Sequence, residues 1–191
     1  MTRSAVIALL CTPLFGAAAE LPRKATDFAI QTGPEKYIWL SDYPGKTVVM
    51  AFILTTCPHC QFTTGLLNKI HKDYADKGVM VFESAIEPMS SLHIPEFVKK
   101  FGVTFPVGYN EQNYAGKFLG KEEKEPMFMP QVVIIDAKGM IRAQFGGEDL
   151  TFSEAIQETT LRDKLDEIVN GQAAAPKPPA RSTASKGSKT P

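Results

Sequence analysis

The chain has 191 residues, 43% of them hydrophobic, with 21 Lys and Arg balancing 21 Asp and Glu. That is enough chain for one ordinary globular domain with a sizeable core, and too little charge for a wholly disordered chain. The balance is uneven: residues 20–170 hold 16 basic against 21 acidic groups, a net of −5, which argues against nucleic acid as a substrate.

Residues 1–19 read as an export signal. Arg3 supplies the positive start, residues 5–15 the short apolar stretch, and Ala17, Ala18 and Ala19 a small-residue cleavage site before Glu20. Cleavage near Ala19 implies a periplasmic or otherwise exported protein whose mature chain has no integral membrane segment. It also removes Cys11, leaving Cys57 and Cys60 as the mature cysteines. Lipidation of Cys11 is the alternative, with the bulky Leu10 against it.

Residues 27–32 and 37–40 are expected to form a leading β-hairpin around Gly33 and Pro34, followed by a turn over 41–45. Residues 47–54 are almost continuously apolar, as expected of a central strand buried on both faces. A helix opens at the cysteines and runs to about Lys77, with Phe62, Leu66, Leu67, Ile70 and Tyr74 on its buried side and Gly78 as its stop. Gly65 inside it costs about 1 kcal/mol relative to Ala and is a candidate kink. A strand over 79–86 and a short helix over 94–101 follow, the latter closed by Gly102; residues 114–127, with their Lys-Glu run, read as a solvated loop. Residues 131–136 and 140–145 flank the hairpin signal Ala137-Lys138-Gly139, and 153–170 form an amphipathic helix with a Ser cap, ending at Gly171. The pattern predicts an α/β domain over 20–170, a central mixed sheet with helices on both sides. Residues 171–191, rich in Ala, Pro, Ser and Lys, read as a disordered tail.

The chemistry concentrates at Cys57-Pro58-His59-Cys60, directly after the central strand. A disulfide-exchanging cysteine needs an exposed thiolate and a second thiol close enough to resolve the mixed disulfide. A helix start supplies both: its free amides and dipole favour a thiolate at Cys57, Pro58 suits the first helical position, and Cys60 falls one turn on, pointing inward. Cys57 is therefore the candidate nucleophile and Cys60 the resolving thiol, with no cofactor beyond the redox-active Cys57–Cys60 disulfide. His59 can offer positive charge to the thiolate. Zinc would need further ligands, and His71 and His93 are isolated in the sequence. A purely structural disulfide across so short a loop restrains the unfolded chain little. Haem attachment is excluded because Gln61 stands where CxxCH requires His.

The order of motifs resembles the TlpA/ResA type of exported thiol-disulfide oxidoreductase, thioredoxin-fold proteins within the redoxin and AhpC/TSA superfamily. The resemblance spans roughly residues 25–169. It rests on Asp27-Phe28, on Leu40-Ser41-Asp42-Tyr43-Pro44-Gly45-Lys46, on the CxxC, on Phe101-Gly102-Val103-Thr104-Phe105-Pro106-Val107, and on Met129-Pro130-Gln131-Val132-Val133-Ile134-Ile135-Asp136 before Gly139. It implies a thioredoxin-like fold with the hairpin as an N-terminal extension. It also implies cysteine-containing protein substrates, a membrane-linked thiol donor or acceptor, and a cis peptide before Pro130, where Met129 and Pro130 present backbone groups to the partner. From the residues alone, cis and trans both stand at Pro130.

Direction of electron flow has two opposed cues. Cys-Pro-His-Cys matches the oxidising DsbA type, whereas the flanking motifs resemble reductases; reduction is the preferred reading. Thioredoxins carry a buried acid on the central strand, where this chain reads Met50-Ala51-Phe52, and ResA-type proteins place Glu where Thr63 stands. Glu83 and Glu87 are the carboxylates that could approach the site, with an exposed strand-end position the preferred reading for both. The Pro and Thr that precede a peroxidatic cysteine are absent. A non-enzymatic Cu(I)-binding assembly protein, with Met127 and Met129 beside the cysteines, is the alternative from another class.

Overall fold

The protein is described here by a computed structural model covering residues 20–173; the expected export signal over 1–19 and the tail beyond 173 lie outside the described residues. The sheet is built around β4 (Thr47–Ile53), buried at every position. Val49, Ala51 and Ile53 enter one core, and Val48, Met50 and Phe52 the other, as the two-residue period of a strand covered on both faces requires. β5 (Val79–Ala85) lies parallel to β4 on one side, and β7 (Gln131–Ile135) antiparallel on the other. β8 (Met140–Phe145) and a short β1 (Arg23–Lys24) continue the β7 side. β6 (Val107–Tyr109) and the hairpin of β2 (Ala29–Gly33) and β3 (Lys36–Trp39) continue the β5 side. The result is one mixed sheet of eight strands in the order β1-β8-β7-β4-β5-β6-β2-β3.

Helices α1 (Pro58–Tyr74), α2 (Ser90–Phe101) and α4 (Gln157–Ala173) contribute to one core, through Leu66, Leu67, Ile70, Phe97, Leu161 and Leu165. On the opposite face α3 (Gln112–Leu119) packs Ala115, Phe118 and Leu119 against Phe28 and Phe52. A one-turn 3-10 extension over Ala75–Lys77 ends α1 at Gly78, whose φ of +80° is the left-handed conformation glycine adopts freely.

Three expectations are corrected. Phe62 is exposed: the buried stripe of α1 runs through Cys60, Thr63, Thr64, Leu67, Ile70 and Tyr74, and Phe62 falls to its side. Residues 114–127 are not all loop: Ala115, Phe118 and Leu119 have the i, i+3, i+4 spacing of a buried helix face, and α3 runs to Leu119. Ser153 does not cap a helix directly; its carbonyl accepts from Ile156 and Gln157 in a separate turn, so α4 begins at Gln157 and continues through Gly171 to Ala173.

Candidate active site

The four residues of the CxxC stand where β4 hands over to α1. Cys57 is the N-cap, with extended backbone angles, and Pro58 occupies the first turn. The Cys57 amide donates to Leu54 O at 3.1 Å, closing a tight turn, and the Cys57 carbonyl receives the first helical amide, from Gln61, at 3.0 Å. Both cysteines are free thiols. Cys57 is half-buried, whereas Cys60 has no exposed surface. The Leu54 amide donates to Cys60 Sγ at 3.4 Å. Burial pushes the Cys60 thiol well above its ordinary range, that hydrogen bond offsets part of the rise, and the Cys57 and Glu83 side chains add to it.

Glu83, expected at an exposed strand end, is instead fully buried. It lies in phase with Val79, Val81 and Ala85 on β5, so its side chain faces the α1 side of the sheet, and its register partner on β4 is Ala51. Neither carboxyl oxygen has a hydrogen-bond partner. Desolvation carries its pKa from 4.5 to about 8, partly offset by the nearby Thr64 hydroxyl. That hydroxyl has a single proton and directs it to the Cys60 carbonyl at 3.0 Å. The two-residue alternation of β5 was the sequence signal that marked Glu83 as inward-facing.

Glu87 also departs from an exposed position. One of its oxygens accepts from both the amide and the hydroxyl of Thr55, the amide at 2.9 Å, and the other is buried without a partner. Gln61 Nε2 donates to the Thr55 carbonyl at 2.9 Å. The segment leading into Cys57 is thus tied down from the loop that follows β5 and from α1.

His59 projects outward and its Nδ1 lies 2.7 Å from Glu154 Oε1. The Thr63 hydroxyl is shared between the His59 carbonyl at 2.9 Å and Gln157 Oε1 at 3.0 Å. Met129 and Pro130 arrive from the opposite part of the sequence. The antiparallel pairing of Phe52 with Gln131 sets Pro130 beside the end of β4 from which the CxxC turn departs. The Met129–Pro130 peptide is cis, and Met129 packs, like Cys57, against the core under α1. Gly147 lies so close that a Cβ on it would stand 2.4 Å from Met129 O. Among the described residues, no three His, Cys, Asp or Glu side chains are grouped to hold a metal ion.

A sequence profile of the AhpC/TSA family matches residues 21–144. The chain belongs to the AhpC/TSA family. Within it, thiol-disulfide oxidoreductase ResA of Bacillus anthracis is 26% identical over 129 residues, covering 68% of this chain and 71% of that protein. Thioredoxin-like protein YneN of Bacillus subtilis is 28% identical over 123 residues, 63% of this chain and 68% of that one. Among solved structures, a putative thiol:disulfide interchange protein DsbE from Chlorobium tepidum superposes with a TM-score of 0.61 at 22% identity, over 75% of this chain and 96% of that one. This AhpC/TSA member is therefore of the ResA-like kind, and its fold is thioredoxin-like with the β2–β3 hairpin at the sheet edge. Its buried acid near the dithiol, Glu83, comes from β5.

Proposed function

We propose that this protein is an exported thiol-disulfide oxidoreductase acting on cysteine-containing protein partners, and that it runs as a reductase. The observation that carries the reading is the pairing of a half-exposed Cys57 at a helix N-cap with a buried Cys60 one turn on, near an unpartnered carboxyl. In the reducing direction Cys57 attacks a partner disulfide as the thiolate; one partner sulfur joins Cys57 and the other leaves as a thiolate. Cys60 then gives its proton to Glu83 and attacks Cys57 Sγ, which releases the second partner sulfur. The protein ends as the Cys57–Cys60 disulfide, and the partner has gained two electrons.

Cys60 is a poor nucleophile while its proton stays on, and burial holds that proton. A carboxyl with a pKa of about 8 can both take a proton and return it near neutral pH, so it suits either direction of exchange. Met129 and Pro130, at the same end of the sheet, are placed to border the partner chain. Among the described residues no helix is long and apolar enough to cross a membrane. A membrane-linked thiol donor is the electron source proposed for the reducing direction.

The test is the reduction potential of the Cys57–Cys60 couple in the purified protein, titrated against glutathione and dithiothreitol. A value at or below about −250 mV supports a reductase; one of about −120 to −180 mV makes the protein an oxidant or isomerase and overturns the direction. Absence of a reversible couple overturns the enzyme itself.

A further inference from the structure

We infer that Glu154 sets the redox poise of the Cys57–Cys60 couple by neutralising His59, so that the chain is more reducing than a Cys-Pro-His-Cys motif would otherwise be. This rests on the oxidoreductase reading above. His59 sits between the two cysteines at the positive end of α1. A cationic imidazole there stabilises the Cys57 thiolate, favours the dithiol and makes the couple a stronger oxidant. In this structure Nδ1 of that imidazole is held by Glu154 at 2.7 Å.

Glu154 does not reach His59 on a loose loop. It belongs to the turn in which the Ser153 carbonyl accepts from Ile156 at 3.0 Å and from Gln157 at 2.8 Å. The buried Gln157 then reaches across to Thr63 at 3.0 Å, and the same Thr63 hydroxyl contacts the His59 carbonyl. The start of α4 is thereby clamped to the first turn of α1 at the residue that matters. Among the described residues, His59 is the one basic side chain within ion-pair distance of Glu154.

The sign follows from charge alone. With Glu154 present the pair is neutral or singly negative, depending on whether His59 carries a proton. Without it, His59 is neutral or singly positive. Removing Glu154 therefore makes the surroundings of Cys57 more positive at any protonation of His59, and frees Nδ1 to turn toward the sulfur. Both groups are largely exposed, at 70% and 44% of their side-chain surface, so the effect is that of a screened pair. It should amount to roughly two- to five-fold in the dithiol–disulfide equilibrium constant. Glu154 is a positioning residue: it acts through His59 and not on the sulfur.

The experiment is a cycle of four proteins, wild type, E154Q, H59A and E154Q/H59A, each equilibrated with glutathione buffers at pH 7 and low ionic strength. The expected result is a two- to five-fold shift of E154Q toward the dithiol, reduced by raising salt, and at most a marginal shift when Glu154→Gln is made in the H59A background. An E154Q protein with an unchanged constant, or one shifted toward the disulfide, overturns the inference. So does an equal shift with and without His59, which would mean that the Glu154 charge acts on the thiolate directly. A wild type without a reversible two-cysteine couple defeats the oxidoreductase reading, and this one with it; a normal wild-type couple with a silent E154Q defeats this one alone. The exposure of both side chains lets the variants fold, and a common urea midpoint checks that they do.

Discussion

Replacing Glu83 by Gln should gain stability relative to the wild type as pH rises through neutrality, while slowing the protein's second chemical step. The folded-state pKa of about 8 stands above the ordinary 4.5, so between these values the folded chain holds a proton that the unfolded chain has released. Stability from this group is therefore complete below pH 4.5 and falls as pH rises, by about 1.36 kcal/mol per pH unit, levelling off above pH 8. At pH 7 the accumulated loss is on the order of 3 kcal/mol, a large share of the 5–15 kcal/mol typical of a domain. Gln does not titrate, so its own buried amide adds only a pH-independent offset. Urea unfolding of the two reduced proteins from pH 5 to 8.5 should give a difference curve that swings in favour of E83Q across that range. Stopped-flow exchange with a disulfide peptide should then show attack by Cys57 intact and resolution by Cys60 slowed about a hundred-fold, the lower end of general-base contributions. A flat stability difference would refute the burial argument, and unslowed resolution would refute the proton transfer.

Other consequences are as direct. Iodoacetamide at neutral pH should alkylate Cys57 alone in the reduced protein lacking residues 1–19, and with them Cys11, read as one adduct by mass spectrometry, because Cys60 is inaccessible and holds its proton. E87A deletes the acceptor for the Thr55 amide and hydroxyl, and should cost about 1–3 kcal/mol in urea unfolding while loosening the approach to Cys57, seen as altered alkylation kinetics. G147A drives a methyl group against the Met129 carbonyl, which is backbone and cannot swing aside; a loss of about 1–3 kcal/mol and weaker partner exchange are expected, by calorimetry and a turnover assay.

Most of the sheet was legible because its strands are either continuously apolar, as in β4 and β7, or punctuated by turn residues, as at Ala137-Lys138-Gly139. The CxxC stood out by its place between β4 and α1. β6 escaped because three residues carry no period, and α3 because Gly116 and the following charged run disguised a short apolar face. Phe62 was misjudged because its apolar side chain was counted with a stripe that Thr63, Leu67, Ile70 and Tyr74 centre and that leaves it to one side. Glu83 was misjudged because a charged residue was given an exposed position against the phase of its own strand. The His59–Glu154 contact spans 95 positions and left no trace in the sequence; only the fold brings it together.

The register pairing of Ala51 with Glu83 changes how relatives of this protein are to be compared. Neighbouring strands deliver side chains to a shared face less than 5 Å apart, so a carboxyl can reach the space beneath α1 from β4 or from β5 with the dithiol unmoved. At Ala51 β4 carries a small side chain and no acid, while its register partner Glu83 brings a carboxyl to the same face from the neighbouring strand. Inventories of the proton-handling group in such proteins need to be taken by volume in space, across adjoining strands, and not by distance along the chain from the cysteines.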